Sequence, residues 1–129
     1  MSIEALARAR SMLGVPFRLH GRRREGMDCI GLAAFAWNVD APTGYPLRCG
    51  SRALIDRGLA ERGFVPASPA PGRILLIVPG PGQLHLAIAG EDGAMIHADA
   101  VARRVVERPA PLPWPVLAAW TREEGAWRR

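Results

Sequence analysis

The chain contains no lysine: its 17 basic residues are all arginine, set against 12 aspartates and glutamates for a net charge of +5. It is also poor in cysteine, with two, and in aromatic residues, at 6%. Two cysteines exclude a disulfide-framed scaffold and a Cys-x-x-Cys metal knuckle. The longest apolar stretches, such as Ile74 to Val78, are far too short for a membrane-spanning helix. Met1 to Arg10 alternates charge with alanine and lacks the apolar h-region and cleavage site of a secretory leader. On this reading the product is made in the cytoplasm, and something other than its own N-terminus carries it further. With no Arg-rich helix and no aromatic ladder, nucleic acid is not the expected partner, although a pI of about 10.9 favours anionic partners in general.

What is present is the composition of a globular chain, 49% hydrophobic and 22% charged over 129 residues. That length fits one domain over residues 1–129. Residues 3–13 read as a helix with Ser2 as its cap, an apolar stripe of Ile3, Leu6, Met12 and Leu13, and a stop at Gly14 and Pro16. A loop with the Arg22-Arg23-Arg24 tip follows, between two glycines. A second helix, apolar on nearly every side and therefore buried, is predicted from Asp28-Cys29 to about Val39 before Pro42. A third covers 51–62, capped by Ser51 and stopped by Gly63. After a Pro-rich linker at 66–72 the pattern changes to short segments split by Gly and Pro: 74–78, 84–89, 94–98, 105–107 and 116–121. Helices followed by strands predict an α+β domain with an antiparallel sheet.

Three residues carry the chemistry. Cys29 falls in the first turn of the second helix, where unpaired amides and the helix dipole favour an anion and therefore a thiolate. The bland reading is a small buried hydrophobe. His85 lies mid-strand in Leu84 to Ala89, sharing a face with Ala87 and Ala89, small residues that leave room for a helix to approach. His97 follows in the next strand across the turn Gly90-Glu91-Asp92-Gly93. For the two rings to share a face the hairpin needs an odd loop, and direct pairing of His85 with His97 requires positions adding to 182. His97 then fixes the tautomer of His85, the third-group role in a Cys–His pair.

With these residues in view, the chain resembles NlpC-type cell-wall peptidases. The resemblance rests on Gly14-Val15-Pro16-Phe17, Gly26-Met27-Asp28-Cys29-Ile30-Gly31-Leu32, Pro71-Gly72-Arg73-Ile74-Leu75-Leu76, His85-Leu86-Ala87-Ile88 and Ile96-His97-Ala98, in that order. The likeness is greatest to the phage and gene transfer agent branch, whose ending Pro113-Trp114-Pro115-Val116-Leu117-Ala118-Ala119-Trp120 also fits. It implies a papain-like α+β fold and a peptidoglycan endopeptidase that cleaves stem peptides, typically at the γ-D-glutamyl–diaminopimelate bond. It further implies association with a phage-like tail hub or baseplate in a virion, with action in the periplasm. By position, Cys29 is the nucleophile, His85 the base and His97 the orienting residue, while Asp28 has a structural or capping role. Two positions depart from the family: Phe17 stands where a tyrosine usually lines the oxyanion side, and Arg73 where a turn aspartate is usual.

The remaining candidates have plainer readings. Cys49 reads as structural, His20 as a wall of the substrate cleft, and Arg22 to Arg24 as a solvated tip able to bind carboxylate or phosphate. Trp114, Trp120 and Trp127 read as packing residues, and 123–129 as a loose end. Cys29, His85 and His97 suit zinc by type but lack a close ligand pair, so neither metal nor other cofactor is expected. Besides the hydrolase, three alternatives remain: a catalytically decayed wall-binding or tail structural protein on the same fold, an intracellular amidase or acyltransferase using the same pair, and a nucleic-acid binder on charge alone.

Overall fold

The structure, a computed structural model, describes residues 2–42 and 51–122. The elements run α1 (Ser2–Arg10), β1 (Arg22–Arg23), β2 (Gly26–Met27), α2 (Cys29–Trp37), α3 (Arg52–Glu61), β3 (Val65–Ala67), β4 (Ile74–Gly80), β5 (Gln83–Ala89), β6 (Met95–Asp99), β7 (Arg104–Arg108) and β8 (Val116–Thr121). The last six strands form one antiparallel sheet in the order β3-β8-β4-β5-β6-β7. This is the expected α+β arrangement, with the helices first in the chain and the sheet after them.

The sheet separates two apolar clusters. Strand alternation sends Ile74, Leu76, Leu86, Ile88, Ile96 and Ala98 to the helical side, where they meet Leu32, Ala36 and Trp37 of α2 and Ala5, Leu6 and Ala9 of α1. The opposite face holds Leu75, Ile77, Ala87, Ala89, Met95 and Ala119, covered by Leu112 and Trp114. Helix α2 therefore stands on the leucine–isoleucine face of β5. The expectation that the alanine face would receive it is corrected: Ala87 and Ala89 pack under the 112–114 segment. Their small size admits Trp114 and Leu112.

The helices follow their caps. Asp28 and Ser51 cap α2 and α3, accepting from the amides of Gly31 and Leu54. Helix α2 stops two residues earlier than its apolar content suggests, because Asn38 turns left-handed at φ 55° and its amide caps the last turn. In α1, Ser2 is already helical, and Ile3 and Leu13 are exposed. The buried face is Ala5, Leu6 and Ala9, continued by Met12, an alanine stripe that lets α1 lie close to α2.

Three strands escape a periodicity reading. Strands β1 and β2 pair Arg22 with Met27 and Arg23 with Gly26, so the arginine tip is a tight hairpin. Strand β3 includes Pro66 and runs along the sheet's edge against β8, where a missing amide costs no ladder bond.

One turn fastens the helical layer to the sheet. Gly72 adopts φ +89°, and a Cβ there would lie 1.8 Å from the Ser2 carbonyl oxygen. Its own carbonyl accepts from Trp37 Nε1 at 3.0 Å in the core, and Trp37 meets Phe64 edge-on. The Arg73 guanidinium closes the same turn through the Ser68 carbonyl at 2.8 Å. The Gly72→Ala variant should lose about 1–3 kcal/mol in urea unfolding, from backbone strain and displacement of the α1 start. An unchanged midpoint would show that this junction does not fix α1.

Candidate active site

Asp28 organises the nucleophile's side of the site. Its carboxylate is 2% exposed; Oδ1 accepts from the Gly31 amide at 2.8 Å and from Arg22 Nη1 at 3.1 Å, while Oδ2 accepts from the His20 amide at 2.7 Å. Three donors on a buried carboxylate replace its lost hydration. The hairpin must come very close to α2 for this, and a Cβ on Gly31 would lie 2.1 Å from the Gly21 carbonyl oxygen. Cys29, half-buried, is thereby held at the first position of α2, beside the positive end of the helix dipole.

The arginine tip is thus only partly a solvated loop. Arg22 is bound to Asp28 and to the Pro42 carbonyl, and Arg24 donates to the Ser11 carbonyl, while Arg23 is exposed.

The histidines sit on the sheet. The β5–β6 hairpin pairs Ile88 with Ile96 and Ala89 with Met95, positions adding to 184 rather than 182. The intervening loop, 90–94, is odd in length, so both rings do emerge on one face. They are diagonal neighbours rather than a direct pair, within reach of ring-sized side chains. His85 Nε2 lies 2.9 Å from His97 Nδ1, with the rings nearly perpendicular.

Behind His97 stands a group that the motifs do not announce. His97 is 1% exposed, and its Nε2 accepts from Arg108 Nε at 3.3 Å. Asp99 Oδ2 lies 3.9 Å from that nitrogen and 3.6 Å from Arg108 Nη2, while Asp99 Oδ1 accepts from the Val101 amide at 2.8 Å. Trp114 covers both His97 and Arg108, with the guanidinium 5.2 Å from its ring centre. Asp99 was legible in principle, since it lies two residues beyond His97 on one strand and therefore on one face. Arg108 had no such signal among so many arginines. Trp114 does more than pack, because it also borders the cavity.

A cavity of about 230 Å³ brings these groups together, lined by Phe17, Asp28, Cys29, His85, His97, Asp99 and Trp114, with apolar walls from Leu19, Ile55 and Val101. Phe17 packs against the helical-side core and contributes an aromatic ring to the cavity wall. His20 is not among the residues lining this cavity; its amide donates to Asp28. Cys49 and Trp127 lie outside the described residues, as does the tail 123–129. Among the described residues no cluster of His, Cys, Asp or Glu is placed to hold a metal ion, and no helix is long and apolar enough to cross a membrane.

Burial decides the histidines' charge. Both are pushed down to about 4. For His85 the causes are desolvation and then the neighbouring His97; for His97, desolvation outweighs the opposing pull of Asp99. Near neutral pH each is an uncharged ring with one N–H.

No family model and no curated protein sequence matches the chain. Solved structures do. The chain superposes on NlpC2 from Trichomonas vaginalis with a TM-score of 0.70 at 18% identity, covering 93% of this chain and 47% of that one. An NlpC/P60 family protein from Bacillus cereus gives 0.66 at 22% identity over 95% of this chain and 40% of that one. The NlpC/p60 domain of the peptidoglycan hydrolase SagA gives 0.64 at 22% identity, covering 94% and 98% of the two chains. The fold is therefore the papain-like α+β fold of NlpC/P60 domains. The chain spans less than half the length of the first two proteins and nearly all of the isolated SagA domain.

Two outcomes follow from this geometry. Removing the Asp28 carboxylate as Asp28→Ala should cost about 2–4 kcal/mol, from a lost helix cap and an arginine left without its buried partner. Asp28→Asn, which keeps an acceptor for Gly31, should lose less; equal losses would mean that the cap contributes nothing. Acid should also destabilise the fold. Between pH 6.5 and about 4 the unfolded histidines bind protons that the folded ones refuse, so stability is complete above 6.5 and declines as pH falls through that window. The urea midpoint should be less acid-sensitive in His97→Gln, and an identical pH dependence would remove His97 as a cause.

Proposed function

We propose that the chain is a cysteine peptidase that hydrolyses stem peptides of bacterial peptidoglycan. The observation that carries this reading is the placement of Cys29 at a buried helix start, in one cavity with His85, whose outer nitrogen is engaged by a buried His97. A Cys–His pair with a third orienting group is the arrangement acyl transfer needs. The SagA relative with the same fold is a peptidoglycan hydrolase, as is RipB from Mycobacterium tuberculosis, which superposes with a TM-score of 0.63 at 21% identity.

In this mechanism the Cys29 thiolate attacks the scissile carbonyl carbon, and the carbonyl oxygen takes up the negative charge. Amides at the start of α2, together with the helix dipole, stabilise that charge. Collapse of the tetrahedral species breaks the C–N bond. The His85 imidazolium protonates the leaving amine, and neutral His85 then takes a proton from the water that hydrolyses the thioester. Imidazolium formation alone is disfavoured in this buried place. Beside a thiolate it completes a pair with no net charge, which costs less to bury. While His85 is charged, its Nε2–H must be accepted by His97 Nδ1.

The ordered motifs that resemble the phage and gene transfer agent branch support a finer reading: cleavage at the γ-D-glutamyl–diaminopimelate bond, by a tail-associated protein made in the cytoplasm and acting in the periplasm. Phe17 favours the alternative of a decayed wall-binding protein, because it takes a hydroxyl from the cavity. Mass spectrometry of purified muropeptides separates the two. Wild type should release stem fragments cut at that bond, and Cys29→Ala should lose at least a thousandfold in rate while remaining folded. Turnover that survives in Cys29→Ala would overturn the cysteine mechanism; binding without turnover by wild type would establish the decayed protein.

A further inference from the structure

Hydrogen-bond direction in the Arg108–His97–His85 chain is not arbitrary. A guanidinium only donates, so the His97 Nε2 that faces Arg108 Nε at 3.3 Å must present a lone pair. A neutral imidazole has one N–H, which then lies on Nδ1 and points into the 2.9 Å contact with His85 Nε2. His85 Nε2 is in turn an acceptor, and the proton of neutral His85 lies on its remaining nitrogen, Nδ1. This direction is opposite to the one the His85 imidazolium requires, because that ion donates from Nε2 to His97.

The acceptor that would support the reversed direction is already in place. Asp99 Oδ1 is tied to the 99–101 turn through the Val101 amide at 2.8 Å. Oδ2 is turned toward His97 Nε2 at 3.9 Å and Arg108 Nη2 at 3.6 Å. Arg108 occupies the approach to Nε2, reaching it from β7 across the face of Trp114. The charged and titratable groups facing His97 are thus His85 on β5, Asp99 on its own strand and Arg108 on β7.

We propose that Arg108 and Asp99 are positioning residues that select the tautomer of His97: with Arg108 on Nε2 the ring donates to His85, and with Asp99 accepting from Nε2 the ring becomes the acceptor that a charged His85 needs. The proton balance closes with solvent alone. One proton enters at His97 Nε2, the Nδ1 proton of His97 passes to His85 Nε2, and the thiol proton of Cys29 leaves to solvent. The products are a thiolate, an imidazolium and a neutral His97 hydrogen-bonded to Asp99. Arg108 loses no proton at any point; it only withdraws its hydrogen bond from the ring. The resting pair is held uncharged by Arg108, and charging it requires Asp99 to take over one nitrogen.

The inference rests on the reading of Cys29, His85 and His97 as one reactive set, but two measurements test it without any peptidoglycan. The first is the ¹⁵N spectrum of the histidine rings at neutral pH in the full chain. In wild type, His97 should be protonated at Nδ1 and bare at Nε2; in Arg108→Met the proton should move to Nε2. The second is the rate of Cys29 alkylation by iodoacetamide against pH, followed by mass spectrometry of the Cys29 peptide. Its onset should move down by about one pH unit in Arg108→Met and up in Asp99→Asn, because nearby charge and hydrogen bonds set which ionised form is favoured. A wild-type His97 protonated at Nε2 would overturn the proposal, as would alkylation onsets that stay fixed or move in the same direction in both variants. Absence of stem-fragment release with these spectra intact would overturn the proposed substrate and leave the tautomer selector standing.

Discussion

The arrangement turns on a carboxylate that has almost no access to water. Asp28 accepts from Gly31, His20 and Arg22, so one buried group joins the start of α2 to the hairpin that precedes it. Burying a charge is tolerable only when donors replace its hydration, and the two hairpin donors, the His20 amide and Arg22, depend on a backbone approach that a side chain at Gly31 would prevent. The next residue is Cys29. The position of the thiol is therefore inherited from a structural ion pair, not built for itself, and the hairpin, cap and nucleophile hold or fail as a unit.

The histidines are placed by a different rule. Sheet alternation assigns His85 and His97 to the face opposite the one on which α2 rests, so the cavity forms where α2's first turn meets the beginning of β5. On β6, His97 and Asp99 share one face, two residues apart. Arg108 of β7 and Trp114 close over His97 from that face, so the histidine pair has a second layer behind it.

The turn Gly90 to Gly93 read from composition is four residues long and would put the rings on opposite faces; only the need for the two histidines to meet calls for an odd loop, which the structure has at 90–94. Caps read well because Asp28 and Ser51 act locally, and the end of α2 did not because Asn38 adopts a left-handed conformation that composition alone does not announce. Strands of two or three residues carry no period, which hides β1, β2 and β3 in the sequence, and β3 admits Pro66 because it lies at the sheet's edge. The helical approach to β5 was misread for a physical reason. Alanines leave space, but space on that face is filled by Trp114 and Leu112, and burial of the larger Leu86 and Ile88 decides where α2 rests. His20 is placed in part through its amide, which donates to Asp28.

The all-arginine basic set now has a structural meaning beyond charge. With 17 arginines and 12 acids, many guanidiniums cannot find a carboxylate, and several close on backbone carbonyls instead. Arg8 binds the Ala36 carbonyl at 2.6 Å and Arg73 the Ser68 carbonyl, while Arg62 adds the Asp40 and Gly58 carbonyls to its ion pair with the Asp40 carboxylate. A planar fork with five donors suits this work better than an ammonium does. Arg108 reaches an imidazole. An amine at that position can surrender its proton and become an acceptor, which would let His97 take either tautomer. A guanidinium cannot, so its choice at His97 Nε2 is reversed only by moving the side chain. Of the basic residues available to this chain, arginine alone makes that choice a matter of position and not of protonation.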